Sequence, residues 1–85
     1  MTPRRKDDLE RRTAKKVRLI IGRYRAQHGL SQRELGERIG MTAWRVSALE
    51  RGQAQINTGE WWAFCRLSQT PPSVLVEDWP PKHPR

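Results

Sequence analysis

Two short helices, forced together across a tight glycine turn, are the strongest constraint in this sequence. Ser31-Gln32-Arg33-Glu34 has the pattern of a capping box. The Ser31 hydroxyl accepts from the Glu34 amide, and the Glu34 carboxylate reaches back to the Ser31 amide. The helix this opens, Gln32 to Ile39, turns Leu35 and Ile39 inward and is barely two turns long when Gly40 ends it. Thr42 caps the next helix, Ala43 to about Arg51, with Val46 and Leu49 inward and Gly52 as its stop. Gly40 permits a positive φ at the turn, and Gly36 has no side chain to stop the second helix crossing close over the first.

The rest of the chain supplies helices for this pair to pack against. Val17, Ile20, Ile21 and Tyr24 recur at helical spacing. They predict one helix from about Asp7 to His28, with Asp7, Asp8 and Glu10 at the positive end of its dipole. Residues 1–6 are expected to be a disordered basic arm. After a loop at 53–57, Asn57 and Glu60 make another cap-like pair before a helix from Thr58 to about Ser68. That helix carries Trp61, Trp62, Phe64, Cys65 and Leu67. Pro71-Pro72 break it, Ser73 to Glu77 offer one last helical turn, and residues 78–85 form a proline-rich tail. No alternating run of β-branched residues predicts a strand. The expected fold is all-α: a compact bundle of four or five helices over 7–77, with the two-helix motif at 31–52.

Charge narrows the function. With 85 residues the chain holds one domain, and its net charge is +8. Residues 1–28 contain ten Lys/Arg and three acids, whereas residues 57–85 are balanced. Such asymmetry suggests a nucleic-acid or anionic-membrane partner, with a merely solvated helix face as the other reading. No apolar run nears the ~20 residues that cross a bilayer. Val17–Ile21 is too short and broken for a signal peptide. The single cysteine, Cys65, permits no internal disulfide and no cysteine zinc site, and His28 and His83 do not rescue one. Neither histidine has a nucleophile and orienting partner in view. The expectation is therefore a cytoplasmic protein that is not an enzyme and has no catalytic residues, metal, cofactor, membrane contact or small-molecule ligand.

Two capped helices joined by a three-residue glycine turn make a helix-turn-helix unit. GLSQRELGERIGMTAWRVSALERG is similar to that motif in phage Cro/repressor-type DNA-binding proteins. The matching positions are Gln32 at the first helix start, Gly36 at the small-residue position, Gly40 in the turn, Val46 and Leu49 as the apolar pair, and Glu50-Arg51-Gly52 at the end. The resemblance covers roughly residues 15–76. It implies a homodimer on a two-fold symmetric operator of double-stranded DNA, acting as a transcriptional repressor of plasmid or phage origin. It also implies a structural ion pair between Arg25 and Glu50, and a phosphate contact from Gln32.

The helical wheel divides the second helix of the motif. With Val46 and Leu49 inward, Trp44, Ser47, Ala48 and Arg51 lie opposite, with Ala43 and Arg45 flanking them. The expected base-contacting set is Thr42, Ala43, Trp44, Arg45, Ser47 and Ala48. Arg45 can fork onto guanine, worth ~1–3 kcal/mol of discrimination, or hold a phosphate. Trp44 departs from the family's small or polar residues there. It either meets thymine methyls or a sugar, or packs on the first motif helix or Arg33. Expected phosphate contacts are Gln32, Arg33, Arg51, Gln53 and Asn57, with Arg4, Arg5 and Lys6 as an arm for the minor groove or for general attraction. Trp61, Trp62, Val74, Leu75, Val76 and Trp79 form an expected dimer interface, with core packing as the other reading. Cys65 is expected to be a small buried hydrophobe. Alternatives from other classes are an antitoxin, or similar interaction module, that autoregulates its operon, and a binder of structured RNA.

Overall fold

In a computed structural model, the backbone is described for residues 4–75 and the side chains for residues 8–75. Gly40 caps one helix, while Gly52 and Pro71 lie just beyond the ends of two others. Helix α1 is Arg4–His28, α2 Gln32–Ile39, α3 Ala43–Glu50 and α4 Thr58–Ser68, and a single 3-10 turn, Pro72–Leu75, closes the described chain. No strand occurs among the described residues. No helix there is long and apolar enough to cross a membrane.

The caps have the geometry their residues allow. Ser31 and Asn57 each accept from the third amide of their helix, and Glu34 and Glu60 each accept from the amide of the cap residue. Gly40 takes a left-handed conformation, φ 76°. One start differs from the sequence reading. Helix α1 begins at Arg4, so Arg4, Arg5 and Lys6 are its first residues rather than a disordered arm. Lys and Arg are good helix formers, and a salt bridge from Asp8 to Arg11 at 3.9 Å ties the next turn.

The core draws on every helix. Val17 and Ile21 from α1, Leu35 and Ile39 from α2, Val46 and Leu49 from α3, and Trp61, Phe64 and Cys65 from α4 are all buried. Leu30, between α1 and α2, joins them; it lies outside every helical repeat, so periodicity does not mark it. Phe64 meets Tyr24 edge-on at 5.5 Å and stacks on Trp61 at 5.7 Å. Burial of apolar area is the main stabilising term in a bundle of this kind.

At the turn after α2 the backbones come close together. The Met41 amide donates to the Gly36 carbonyl at 2.8 Å. A Cβ at Gly36 would run into the Met41 carbonyl oxygen and lie 3.2 Å from its carbon and 3.3 Å from that of Thr42. Glycine at position 36 is thus a packing requirement, and it sets how closely α3 follows α2.

The closing turn corrects part of the expected dimer surface. Trp61 is only 6% exposed, and its indole N–H donates to the Pro72 carbonyl at 3.0 Å. It is a core residue, not an interface residue, because the chain after α4 folds back over it. The Lys16 ammonium donates to the Val74 carbonyl at 2.9 Å. Val74 and Leu75 are half-buried against the core, while Trp62 is exposed. Val76, Trp79 and the tail at 78–85 lie outside the described residues.

Candidate nucleic-acid interface

Helix α3 is short and held at both ends. Thr42 caps it, its hydroxyl accepting from the Arg45 amide at 3.0 Å. Inside, Val46 and Leu49 are each 1% exposed. Outside, Trp44 is 74% exposed, the largest exposed aromatic surface among the described residues. Neither packing partner considered for Trp44 shields it. Thr42 is also exposed, and Ala43 and Ser47 are half-buried on the same side.

Two residues of the expected base-contacting set are placed elsewhere. Ala48 is 5% exposed and belongs to the core. Helix α3 packs against α1 as well as α2, so its buried arc is wider than Val46 and Leu49 alone define. Arg45 is the second correction. Its Nε donates to the Glu60 carboxylate at 2.9 Å, and a terminal nitrogen donates to the other Glu60 oxygen at 2.9 Å and to the Gln55 carbonyl at 2.7 Å. The guanidinium is therefore turned to α4 and the loop before it. A two-pronged contact of this kind is the strong form of an Arg–carboxylate pair. Glu60 has a double role that sequence reasoning missed: it closes the α4 capping box and clamps α3. Its place three residues after Asn57 signals the first role; nothing local signals the second.

Arg25, Gln32 and Glu50 form the other buttress. Arg25 Nε donates to Glu50 at 2.7 Å, a second Arg25 nitrogen donates to its other oxygen at 3.0 Å, and a third donates to the Leu30 carbonyl at 2.9 Å. The Gln32 side-chain amide donates to the same carboxylate at 3.0 Å. One carboxylate at the C-terminal end of α3 thus joins α1, α2 and α3. Burial works against its charge, yet the hydrogen bonds from Arg25 and Gln32 prevail and hold the Glu50 pKa below the usual carboxylate value. Glu60 is also lowered, first by its hydrogen bond from Arg45, against the opposing effect of burial.

The expected phosphate contacts fall on several surfaces. Gln32 sits at the N-terminus of α2 with its amide turned to Glu50. Arg33 lies in an exposed pair with Glu37 at 3.4 Å. Arg51, exposed at the C-cap of α3, donates to Gln53 at 3.0 Å and to the Ser47 hydroxyl. The Asn57 oxygen caps α4. The side chains of Arg4, Arg5 and Lys6 lie outside the described set. Cys65 is buried, and burial raises its thiol pKa. No metal-holding group of three or more His, Cys, Asp or Glu occurs among the described residues.

A family model described as helix-turn-helix matches residues 21–75. No curated protein and no solved structure matches the chain.

Proposed function

The chain belongs to the helix-turn-helix family, which makes it a DNA-binding regulator of transcription, and from that premise we propose a homodimeric repressor that lays α3 in the major groove of a palindromic operator. The observation that carries this reading is the exposure of Trp44 on a helix clamped from two sides. A rigid helix presenting its N-terminal residues is what groove reading requires. Thr42, Ala43, Trp44 and Ser47 are the proposed base-edge group. Their chemistry is mainly apolar, suited to thymine methyls, so DNA shape supplies part of the selectivity. Gln32, Arg33, Arg51, Gln53 and Asn57 are the proposed phosphate group, with Gln32 helped by the α2 N-terminus. Trp62, Val74 and Leu75 are the proposed dimer contacts.

Selection of binding sites from random duplexes, followed by footprinting, tests this. The expected product is an inverted repeat whose half-sites lie about one helical turn, ~34 Å, apart. A pool with no enriched sequence sinks the proposal.

Two substitutions separate reading from anchoring. Trp44→Ala is expected to weaken binding to the selected site about tenfold, in line with the ~1–3 kcal/mol of a base contact, and to relax the preference at one position. Gln32→Ala is expected to weaken all sequences alike. Competition binding against single-base variants measures both; a uniform loss for Trp44→Ala would return that residue to a sequence-independent role. Arg45→Ala is expected to lower stability by about 1 kcal/mol, as for a partly exposed pair of good geometry, and to leave base preference unaltered. Thermal melting and the same competition series check it, and an altered base preference would show Arg45 leaving Glu60 for the DNA.

A further inference from the structure

The first part of α1 precedes the family match, which begins at residue 21. It carries much of the chain's excess positive charge. Arg11, Lys15 and Arg18 recur at i, i+4 and i+7, which puts them in one stripe along one face. The stripe forms a wall of an open groove of about 590 Å³, and Arg51 stands in its lining as well. Four cations there meet one carboxylate, Glu10. Arg11 has only the long, exposed bridge to Asp8, and Lys15 and Arg18 have no carboxylate partner among the described residues. The groove is fixed in place: the Gln55 side chain, on the loop after α3, donates to the Glu10 carbonyl at 3.0 Å. Arg51 also connects it to the proposed reading helix, since it is the C-cap of α3.

We infer that this groove is a second binding site for the DNA backbone, formed by Arg11, Lys15 and Arg18 of α1 together with Arg51, and holding phosphodiesters next to the site that α3 reads. The inference rests on the reading of the chain as a duplex-binding regulator and adds the three α1 cations to it, with Arg51 shared between this groove and the phosphate group already proposed. The stripe from Arg11 to Arg18 is about 10 Å long at 1.5 Å per residue. A duplex presents one charge per about 1.7 Å of its axis, so a stripe of this length meets several phosphates. Every lining cation is exposed and the groove is open, so the site is an electrostatic track and not a pocket for one small anion.

The test compares two variants of equal charge change on the selected duplex across a salt series. Lys15→Gln/Arg18→Gln removes two groove cations; Arg23→Gln/Arg66→Gln removes two exposed cations from elsewhere. The first is expected to flatten the dependence of log K on log salt by about 0.9 per lost phosphate contact, close to 2 per protomer, with base preference unchanged. The second is expected to leave the slope near that of the unaltered protein. Equal slopes for the two variants would overturn the groove assignment while the unaltered protein still selects its sequence. Failure of the unaltered protein to select any sequence would instead overturn the reading beneath it. Circular dichroism confirms that both variants keep their helices, since all four side chains are exposed.

Discussion

Gly36→Ala is expected to destabilise the protein by about 2 kcal/mol and to lower its melting temperature by roughly 10 °C. In an ordinary helix this change is favourable by ~1 kcal/mol, because glycine is the poorer helix former. Here the added methyl meets backbone: the Met41 carbonyl lies in its path and the Thr42 carbon is 3.3 Å away. A flexible side chain could rotate aside, but a carbonyl group in a three-residue turn moves only with α3. Overpacking against such a wall costs ~1–3 kcal/mol, occasionally more, and outweighs the propensity gain. Gly22→Ala is the internal control. Gly22 is also inside a helix, and an added Cβ meets nothing within 4 Å. That variant is expected to gain ~0.5–1 kcal/mol. Thermal melts of the two, followed by circular dichroism, should move in opposite directions. A Gly36→Ala protein as stable as the original would mean that α3 does not need its close approach to α2.

Glu50→Gln is expected to cost about 2 kcal/mol and to flatten the acid limb of the stability profile. The substitution keeps the shape but removes the charge that Arg25 and Gln32 both address. Removing one partner of a fully buried pair costs ~3–5 kcal/mol. The side chains of Arg25 and Glu50 are 28% and 13% exposed, so water recovers part of that. The pH dependence follows from the lowered pKa values of Glu34, Glu50 and Glu60. In the unfolded chain these groups titrate near ~4.3. The stabilisation is fully present above that value and is lost as pH falls through the lower, folded-state values, where the unfolded chain binds more protons. Glu50→Gln removes one of these three contributions. Denaturant unfolding between neutral pH and the acid range measures it, and an acid limb as steep as that of the original protein would contradict the role given to Glu50.

Local signals carried most of the fold. Ser31, Thr42 and Asn57 act within three residues of themselves, and Gly40 acts on its own backbone, so each is readable without a tertiary structure. The boundaries of α2, and the starts of α3 and α4, follow from them. The apolar repeats placed Val17, Ile21, Leu35, Ile39, Val46 and Leu49 correctly for the same reason. What escaped the sequence was set by neighbours distant in the chain. Ala48 is buried on a helix that packs against both α1 and α2, and the Arg45 guanidinium lies against Glu60, fifteen positions on. Trp61 and Trp62 are adjacent and chemically alike; Trp61 shares the core face with Phe64 and Cys65 and is further held by the returning segment at Pro72, while Trp62 stays exposed. A helical wheel drawn on one helix finds the deepest direction but not the width of the covered arc.

The single thiol of this chain sits on α4 among side chains that leave it 4% exposed, and its surroundings disfavour the reactive thiolate. Oxidants and alkylating reagents therefore meet Cys65 only in molecules whose fourth helix has lifted from the rest. Labelling at this one atom becomes a clock for breathing motions of the native state, without any engineered probe.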